Sequence, residues 1–142
     1  MNSVILRTAT RFMMPLLLLF SIVVLLQGHN KPGGGFIAGL ITAATFSLHA
    51  LAFDPDSTRR VLVVDMRSLI GAGLLIALAS AFIPLAQGLP LMTGVWTTIP
   101  MLGGDPIKIG TPLLFDLGVF IVVVGISLLM VLTLLDSQEK DA

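Results

Sequence analysis

The sequence predicts an all-α integral membrane protein with four transmembrane helices and an irregular, hairpin-like loop between the third and fourth helices. Hydrophobic residues make up 56% of the chain, charged residues only 11%, and the mean hydropathy is +1.02. A soluble domain has about 25% charged residues. Four apolar runs are long enough to cross the hydrocarbon core when their flanking residues are included. We predict one membrane domain over residues 1–142, with approximate spans 4–27, 34–53, 69–86 and 112–135.

Composition also excludes several kinds of site. Cysteine is absent, so the chain has neither disulfides nor thiolate metal ligands. The formal net charge is zero, which gives no reason to expect a nucleic-acid partner. The chain has no GxSxG, HExxH or P-loop motif and no paired carboxylates within a span. We therefore predict no enzyme activity, no cofactor and no metal site.

The turn between the first two spans is the most distinctive stretch of the sequence. Residues 28–36 read Gly-His-Asn-Lys-Pro-Gly-Gly-Gly-Phe and separate two long apolar runs. Proline fixes its own φ, and consecutive glycines allow tight backbone approach. This pattern predicts the hinge of a helical hairpin at the membrane surface. Its motif residues are Gly28, His29, Pro32, Gly33, Gly34, Gly35 and Phe36.

Small residues recur every four positions in two of the spans, and this spacing puts them on one helical face. Such a face lets another helix approach closely. In the second span they are Gly35, Gly39, Ala43 and Ser47, and in the third Gly73, Ala77 and Ala81. We therefore expect the second and third spans to pack against each other. The first span is rich in Leu, Val and Met, and we expect no close-contact face on it.

Two connectors carry further signals. Between the second and third spans, charged residues surround Val61–Val64, which predicts a piece lying in the membrane interface. Residues 87–111 are too rich in Gly and Pro for a helix, yet many are apolar. We predict an ordered hairpin there, with its tip near Gly104–Pro106 and Trp96 at headgroup depth. The last span begins at Thr111 and Pro112, and the residues from Asp136 onward are expected to form a solvated tail.

The distribution of basic residues predicts the orientation. Four spans place both termini on the same side of the membrane. That side carries six Lys or Arg residues and the other side two, Lys31 and Lys108. The positive-inside rule then places both termini in the cytoplasm.

Only two ionisable residues lie inside predicted spans, away from their charged flanks. Asp116 is about 7 Å along the helix from Thr111, and His49 is at a similar depth from the opposite surface. Asp116 is either stabilised by the N-terminus of its own helix or is an ion-pathway or inter-subunit pairing group. His49 is either an interfacial histidine bonded to the backbone or part of a pathway. Thr42 and Thr45 lie off the small-residue stripe, need partners, and complete the candidate set.

Several motifs resemble one known family over essentially the whole chain. They are GHNKPGGGFIAGL at 28–40, the DPDSTRR connector at 54–60, and GTPLLFDLGVF at 110–120. Together they resemble the MrpB (MnhB or PhaB) component of the multisubunit Na⁺/H⁺ antiporters of the Mrp family. The resemblance implies a bacterial inner-membrane complex whose large, complex I-like subunits exchange Na⁺ for protons. It implies a small subunit needed for the assembled antiporter, alongside other small membrane subunits, with no established exchange activity alone.

Three alternatives remain open from the sequence. Related domains occur in membrane-bound hydrogenase complexes, which gives one alternative assignment. An autonomous small channel or carrier is motivated by Asp116, His49 and the threonines. A purely structural spacer is motivated by the lack of any charged residue near the midplane of a span.

Overall fold

The computed structural model describes residues 4–27, 34–88, 96–99 and 107–141, and in these ranges the chain forms five helices and two short strands. Four helices are long and apolar enough to cross a membrane, which confirms the predicted fold class. In chain order the elements are α1 Val4–Gln27, α2 Gly34–Ala52, α3 Pro55–Leu62, α4 Met66–Ala86, β1 Trp96–Ile99, β2 Ile107–Gly110 and α5 Thr111–Asp141.

Helix α5 lies at the centre of the arrangement. Extensive contacts join α4 to α5, α5 to α2 and α2 to α1, so the spanning helices follow the order α4, α5, α2, α1. The buried core is built on α5 by Val124, Leu128 and Leu132, with residues of α2 and Met66 of α4 packed against them. The predicted direct packing of the second span against the third is therefore wrong, because α5 lies between them.

The close contact between α4 and α5 depends on glycine. A Cβ added at Gly73 would lie 2.8 Å from the carbonyl oxygen of Gly118 and 2.7 Å from a methyl group of Val122. A Cβ added at Gly118 would in turn lie 2.8 Å from the carbonyl oxygen of Gly73. Such distances are too short for real Cβ atoms, so the two backbones touch directly here. The small stripe of α4 thus faces α5.

The connector after α2 folds into the short helix α3. Asp54 is its N-cap, since Asp54 Oδ1 accepts a 2.6 Å hydrogen bond from the Ser57 amide, and Pro55 occupies the first turn. The helix ends at Val63, which has a positive φ of 66°. The guanidinium of Arg59 donates to both carboxylate oxygens of Asp136 on α5. Residue 136 therefore belongs to a helix and an ion pair, two features that the prediction of a solvated tail did not include.

Helix boundaries differ from the predicted spans by more than one residue at two places. Helix α4 begins at Met66, three residues before the predicted span, and α5 continues to Asp141, six residues beyond the predicted end at 135. Hydropathy locates the apolar part of a helix and misses polar turns that extend it into water. The predicted single membrane domain remains a prediction.

The loop between α4 and α5 contains an antiparallel hairpin. Strand β1 pairs with β2 in a register that places Trp96 opposite Gly110 and Ile99 opposite Ile107. Helix α5 starts directly after β2. The predicted tip at Gly104–Pro106 lies outside the described residues.

Gly73→Ala tests the contact between α4 and α5. We expect it to lower the free energy of unfolding by about 1–3 kcal/mol, because the new methyl group meets backbone atoms that have to shift. The measurement is unfolding of the full chain in increasing mole fractions of SDS, followed by circular dichroism.

Gly71→Ala is the matched control on the same helix. A Cβ at Gly71 meets nothing within 4 Å, so this variant should be as stable as the wild type or more so. Equal stabilities of the two variants would contradict the assigned contact.

Candidate functional site

The candidate polar residues lie at three separate places along the helices. Thr42 and Thr45 are in the middle of α2, while His49 is near its C-terminal end. Asp116, which is on α5, lies beside Gly35, and Gly35 is in the first turn of α2. Gly35 and His49 are 14 residues apart in the sequence, or about 21 Å along the helix axis. Within the described parts of the chain, these residues therefore do not form one polar cluster.

Thr42 connects α2 to α1 through a buried pair of hydroxyl groups. Its Oγ1 donates to Ser21 Oγ at 2.9 Å, and Ser21 Oγ donates to the Leu18 carbonyl oxygen at 2.7 Å. Both side chains are buried. Thr45 donates to the Ile41 carbonyl oxygen of its own helix at 2.8 Å. Helix α1 therefore does have a close-contact face, contrary to the sequence prediction, and Ser21 is part of it.

His49 connects α2 to α3. Its Nδ1 lies 2.7 Å from Thr58 Oγ1, and its ring stacks on Phe53 with centroids 4.7 Å apart. Thr58 Oγ1 also lies 3.1 Å from the Asp54 carbonyl oxygen and donates its single proton there. That assignment makes His49 Nδ1–H the donor to Thr58. His49 is thus bonded to a neighbouring helix and not to a backbone carbonyl.

Two arginines of α1 gather at the same end of α2. Arg7 Nε donates to the Ala52 carbonyl oxygen at 3.1 Å, which satisfies a terminal carbonyl of α2. The guanidinium carbons of Arg7 and Arg11 lie 5.6 Å and 5.5 Å from the centroid of the Phe53 ring. These distances are within the range of cation–π attraction.

Asp116 lies at the opposite end of α2. It is half-buried in the second turn of α5. A Cβ added at Gly35 would lie 3.0 Å from the Asp116 Cα, so the backbone of residue 116 touches the first turn of α2. The N-terminal ends of α5 and α2 therefore both lie near this residue. Helix N-termini favour a negative charge, so the location suits an ionised carboxylate.

The remaining motif residues fall into two groups. Gly28, His29, Pro32 and Gly33 lie outside the described residues, whereas Gly34, Gly35 and Phe36 form the first turn of α2.

The small residues of α2 and α4 mostly contact α5 or lie buried. Gly35 faces Asp116, Gly39 faces Val123, Ala43 and Ala81 are buried, the backbone of Ala77 faces Gly118, and Ser47 Oγ donates to the Ala43 carbonyl oxygen.

Sequence reasoning missed the glycines on α5 that complete these contacts. Gly118 meets α4 at Gly73 and Ala77, and Gly125 meets α4 at Ile70. They are seven residues apart, or nearly two helical turns, and therefore lie on roughly the same face. A search for that longer spacing would have found them.

Comparison with known proteins identifies the family. Residues 5–129 match the family described as "Domain related to MnhB subunit of Na+/H+ antiporter". The chain belongs to the MnhB family. This confirms the resemblance that the sequence motifs carry.

Relatives of this MnhB-family chain match it along almost their whole length. It is 41% identical over 139 residues to the B-type Na(+)/H(+) antiporter subunit of Alkalihalophilus pseudofirmus, covering 96% of this chain and 95% of that protein. It is 40% identical over 135 residues to the B-type Na(+)/H(+) antiporter subunit of Bacillus subtilis, covering 94% and 93%. These relatives favour the antiporter assignment over the hydrogenase alternative.

A solved structure shares the fold of this MnhB-family chain. A chain of the Mrp complex from Dietzia sp. DQ12-45-1b matches with a TM-score of 0.72 and 30% sequence identity. The match covers 91% of the present chain and only 14% of the longer chain in that complex. The family assignment and the four apolar helices make this a multi-pass membrane protein.

Thr42→Val tests whether this candidate residue has a structural role. We expect it to lower the free energy of unfolding by about 0.6–1.7 kcal/mol, the range for hydrogen bonds between transmembrane helices. The double variant Ser21→Ala/Thr42→Val should lose less than the sum of the single variants, because neither hydroxyl is left without its partner. SDS unfolding of all three variants measures the coupling, and strict additivity would contradict the buried bond.

Asp54→Ala tests the cap of α3. The Ser57 amide hydrogen bond holds the pKa of the Asp54 carboxyl below its ordinary value of 3.8. The cap therefore stabilises the fold above that value, and its contribution is lost as the pH falls through the lower pKa of the folded state. We expect Asp54→Ala to lower the free energy of unfolding by about 1 kcal/mol at pH 7, and we expect this difference to shrink below about pH 3.8.

Asp65→Ala is the matched control for this substitution. Asp65 is the N-cap residue of α4, but its side chain makes no capping hydrogen bond. Unfolding free energies measured for both variants at pH 7 and pH 3 should show a pH-dependent loss only for Asp54→Ala. A loss at Asp54 that does not change with pH would contradict the charged cap.

Proposed function

We propose that this chain is a small membrane subunit of a multisubunit Na⁺/H⁺ antiporter, needed for assembly and activity of the complex and not an exchanger by itself. The observation that carries the proposal is the end-to-end similarity to B-type subunits of Na(+)/H(+) antiporters. Its partners in this proposal are complex I-like large subunits, other small membrane subunits and the lipid bilayer. Na⁺ and H⁺ are the ions moved by the complex.

The distribution of polar groups supports a subunit role. The charged residues of the spanning helices lie toward helix ends, at Arg7, Arg11, Arg67, Asp116, Asp136, Glu139, Lys140 and Asp141. Among the described residues, every buried side-chain nitrogen and oxygen atom has a hydrogen-bond partner. Thr42 is bonded to Ser21 of α1, and Thr45 is bonded to a carbonyl oxygen of its own helix. A proton route through the described helices would need a titratable group near mid-span, so exchange requires residues of other subunits.

The outer faces of the helix row supply surfaces for lipid and neighbouring subunits. Helices α1 and α4 are at the two ends of the row. In an apolar stretch of 18 residues, 17% of α1 and 22% of α4 are buried within the chain, against 44% of α2. Large apolar side chains such as Phe12 and Leu16 on α1 and Leu75 and Phe82 on α4 are exposed. These faces are consistent with packing in a larger membrane assembly.

We propose a bacterial inner membrane as the location, with both termini in the cytoplasm. Six of the eight basic residues lie on the side of the termini. The Arg residues of α3 and the start of α4 share that side with Arg7 and Arg11, because α2 returns the chain to it. This charge distribution is the support for the orientation.

Asp116 is our candidate for a residue near the ion route or at a subunit interface. It is half-buried, and the N-termini of two helices lie close to it. These helix ends favour its ionised form, which is the form that could attract a cation or pair with a basic residue. His49 is a second candidate, and its ring is bonded to Thr58 and stacked on Phe53.

Reconstitution tests the subunit role. The purified chain alone and the complete antiporter complex are placed in vesicles, and internal pH is followed after a Na⁺ pulse. We expect Na⁺-driven proton movement from the complex and none from the chain alone. Exchange by the chain alone would contradict the proposal and favour the autonomous carrier.

Asp116→Asn tests the candidate residue within the complex. We expect normal levels of assembled complex and Na⁺/H⁺ exchange reduced about tenfold, equivalent to about 1.4 kcal/mol in the rate barrier. Asp65→Asn is the control, since Asp65 is exposed and makes no capping bond. Full exchange by Asp116→Asn at normal complex levels would favour a purely structural spacer.

A further inference from the structure

A groove of about 530 Å³ lies between α1 and α2, near the end where α2 finishes. Its body is apolar and is formed largely by Met14, Pro15 and Leu18 of α1. Its mouth is formed by Arg11, His49 and Phe53. The groove therefore has a cationic end and an apolar end, as an amphiphilic ligand would require.

Arg11 supplies the charge at the mouth of the groove. Its guanidinium lies 5.5 Å from the centre of the Phe53 ring, and the side chain is exposed. In the described ranges Arg11 makes neither a hydrogen bond nor an ion pair with another residue. Asp54, which follows Phe53 in the chain, already accepts hydrogen bonds from Ser57 at both carboxylate oxygens. The positive charge of Arg11 is therefore not neutralised by a carboxylate of the described chain.

The groove extends from this mouth into the apolar part of the bundle. Arg11 and Leu18 are seven residues apart, so the lining extends about 10 Å along α1. Beyond Leu18 the two helices are joined by the Thr42–Ser21 hydrogen bond. At the other end, Arg7 Nε is bonded to the Ala52 carbonyl oxygen. Polar contacts between α1 and α2 thus bound the groove on both sides.

We propose that this groove binds an anionic phospholipid, with the phosphate at Arg11 and an acyl chain along Met14, Pro15 and Leu18. Guanidinium groups bind phosphate oxygens with charge-assisted hydrogen bonds. The guanidinium of Arg11 lies near the C-terminal end of α2, at the depth where headgroups are found. The apolar lining continues from there toward the hydrocarbon core. A neighbouring protein helix would have to bring its own carboxylate to Arg11. An anionic lipid carries both the negative charge and the apolar chain in one molecule.

Arg11→Gln tests the headgroup contact in the assembled complex. The complex is depleted of lipid in detergent, phosphatidylglycerol is added back in steps, and bound lipid is counted by native mass spectrometry. We expect about fivefold weaker retention at one site, the effect of one basic side chain at an anionic surface. Arg67→Gln removes the same charge from an exposed position on α4 and should not change retention. Equal retention by the two variants would overturn the proposal.

Leu18→Trp tests the acyl-chain contact. A larger side chain in the groove should reduce retention, whereas Leu16→Trp, on an exposed face of α1, should not. Glycerol phosphate carries the headgroup charge without an acyl chain and should not displace the lipid at equal concentration. Displacement by glycerol phosphate would identify a simple anion site and overturn the assignment to lipid.

A photo-crosslinker at position 14 separates lipid from protein occupants in intact membranes. We expect an adduct whose added mass equals that of a phospholipid, and we expect Arg11→Gln to reduce it. A crosslink to another subunit, or to a second copy of this chain, would overturn the proposal. A complete absence of lipid adduct would do the same.

Discussion

The close approach of α5 to two other helices is the contact on which the rest of the structure depends. Gly73 and Gly118 bring the backbones of α4 and α5 together, and Gly35 and Gly39 bring α2 to the same helix. Inside a membrane, lipid tails are as apolar as leucine, so burial of apolar surface alone does not hold helices together. Close packing of small residues does so through van der Waals contact. The order α4, α5, α2 follows from where these small residues lie.

Polar contacts position the elements that the glycines do not. The Thr42–Ser21 bond and the Arg7–Ala52 bond attach α1 to α2, His49 attaches α2 to α3, and Arg59 attaches α3 to Asp136. Most of the candidate polar residues are thereby used inside the chain. The backbone of Asp116, in the second turn of α5, touches the first turn of α2, so two helix N-termini lie near this residue.

The sequence predicted the elements better than their arrangement. Apolar runs located the four spanning helices, and Gly and Pro located the hairpin, because these signals are local along the chain. Four-residue spacing identified Gly39 and Gly73 as contact residues but could not identify their partner. A helix face made of small residues allows close approach of any other helix with a similar face. The partner was α5, whose Gly118 and Gly125 have a seven-residue spacing. Helix α3 and the Asp136 ion pair were missed because polar, amphipathic turns give no hydropathy signal.

The position of α1 shows how a helix at the end of the row can be held in a bilayer. There, apolar side chains pack as well against lipid as against protein. Only 17% of its apolar 18-residue stretch is buried within the chain, so most of that stretch is left to lipid or to other subunits. Hydrogen bonds to α2 add local constraints, one between the buried hydroxyl groups of Thr42 and Ser21 and one from Arg7 to the Ala52 carbonyl oxygen. Between these bonds the helices leave a groove of about 530 Å³. Whatever fills that groove adds contact with both helices, and the unneutralised charge of Arg11 makes an anionic amphiphile the occupant that best matches it.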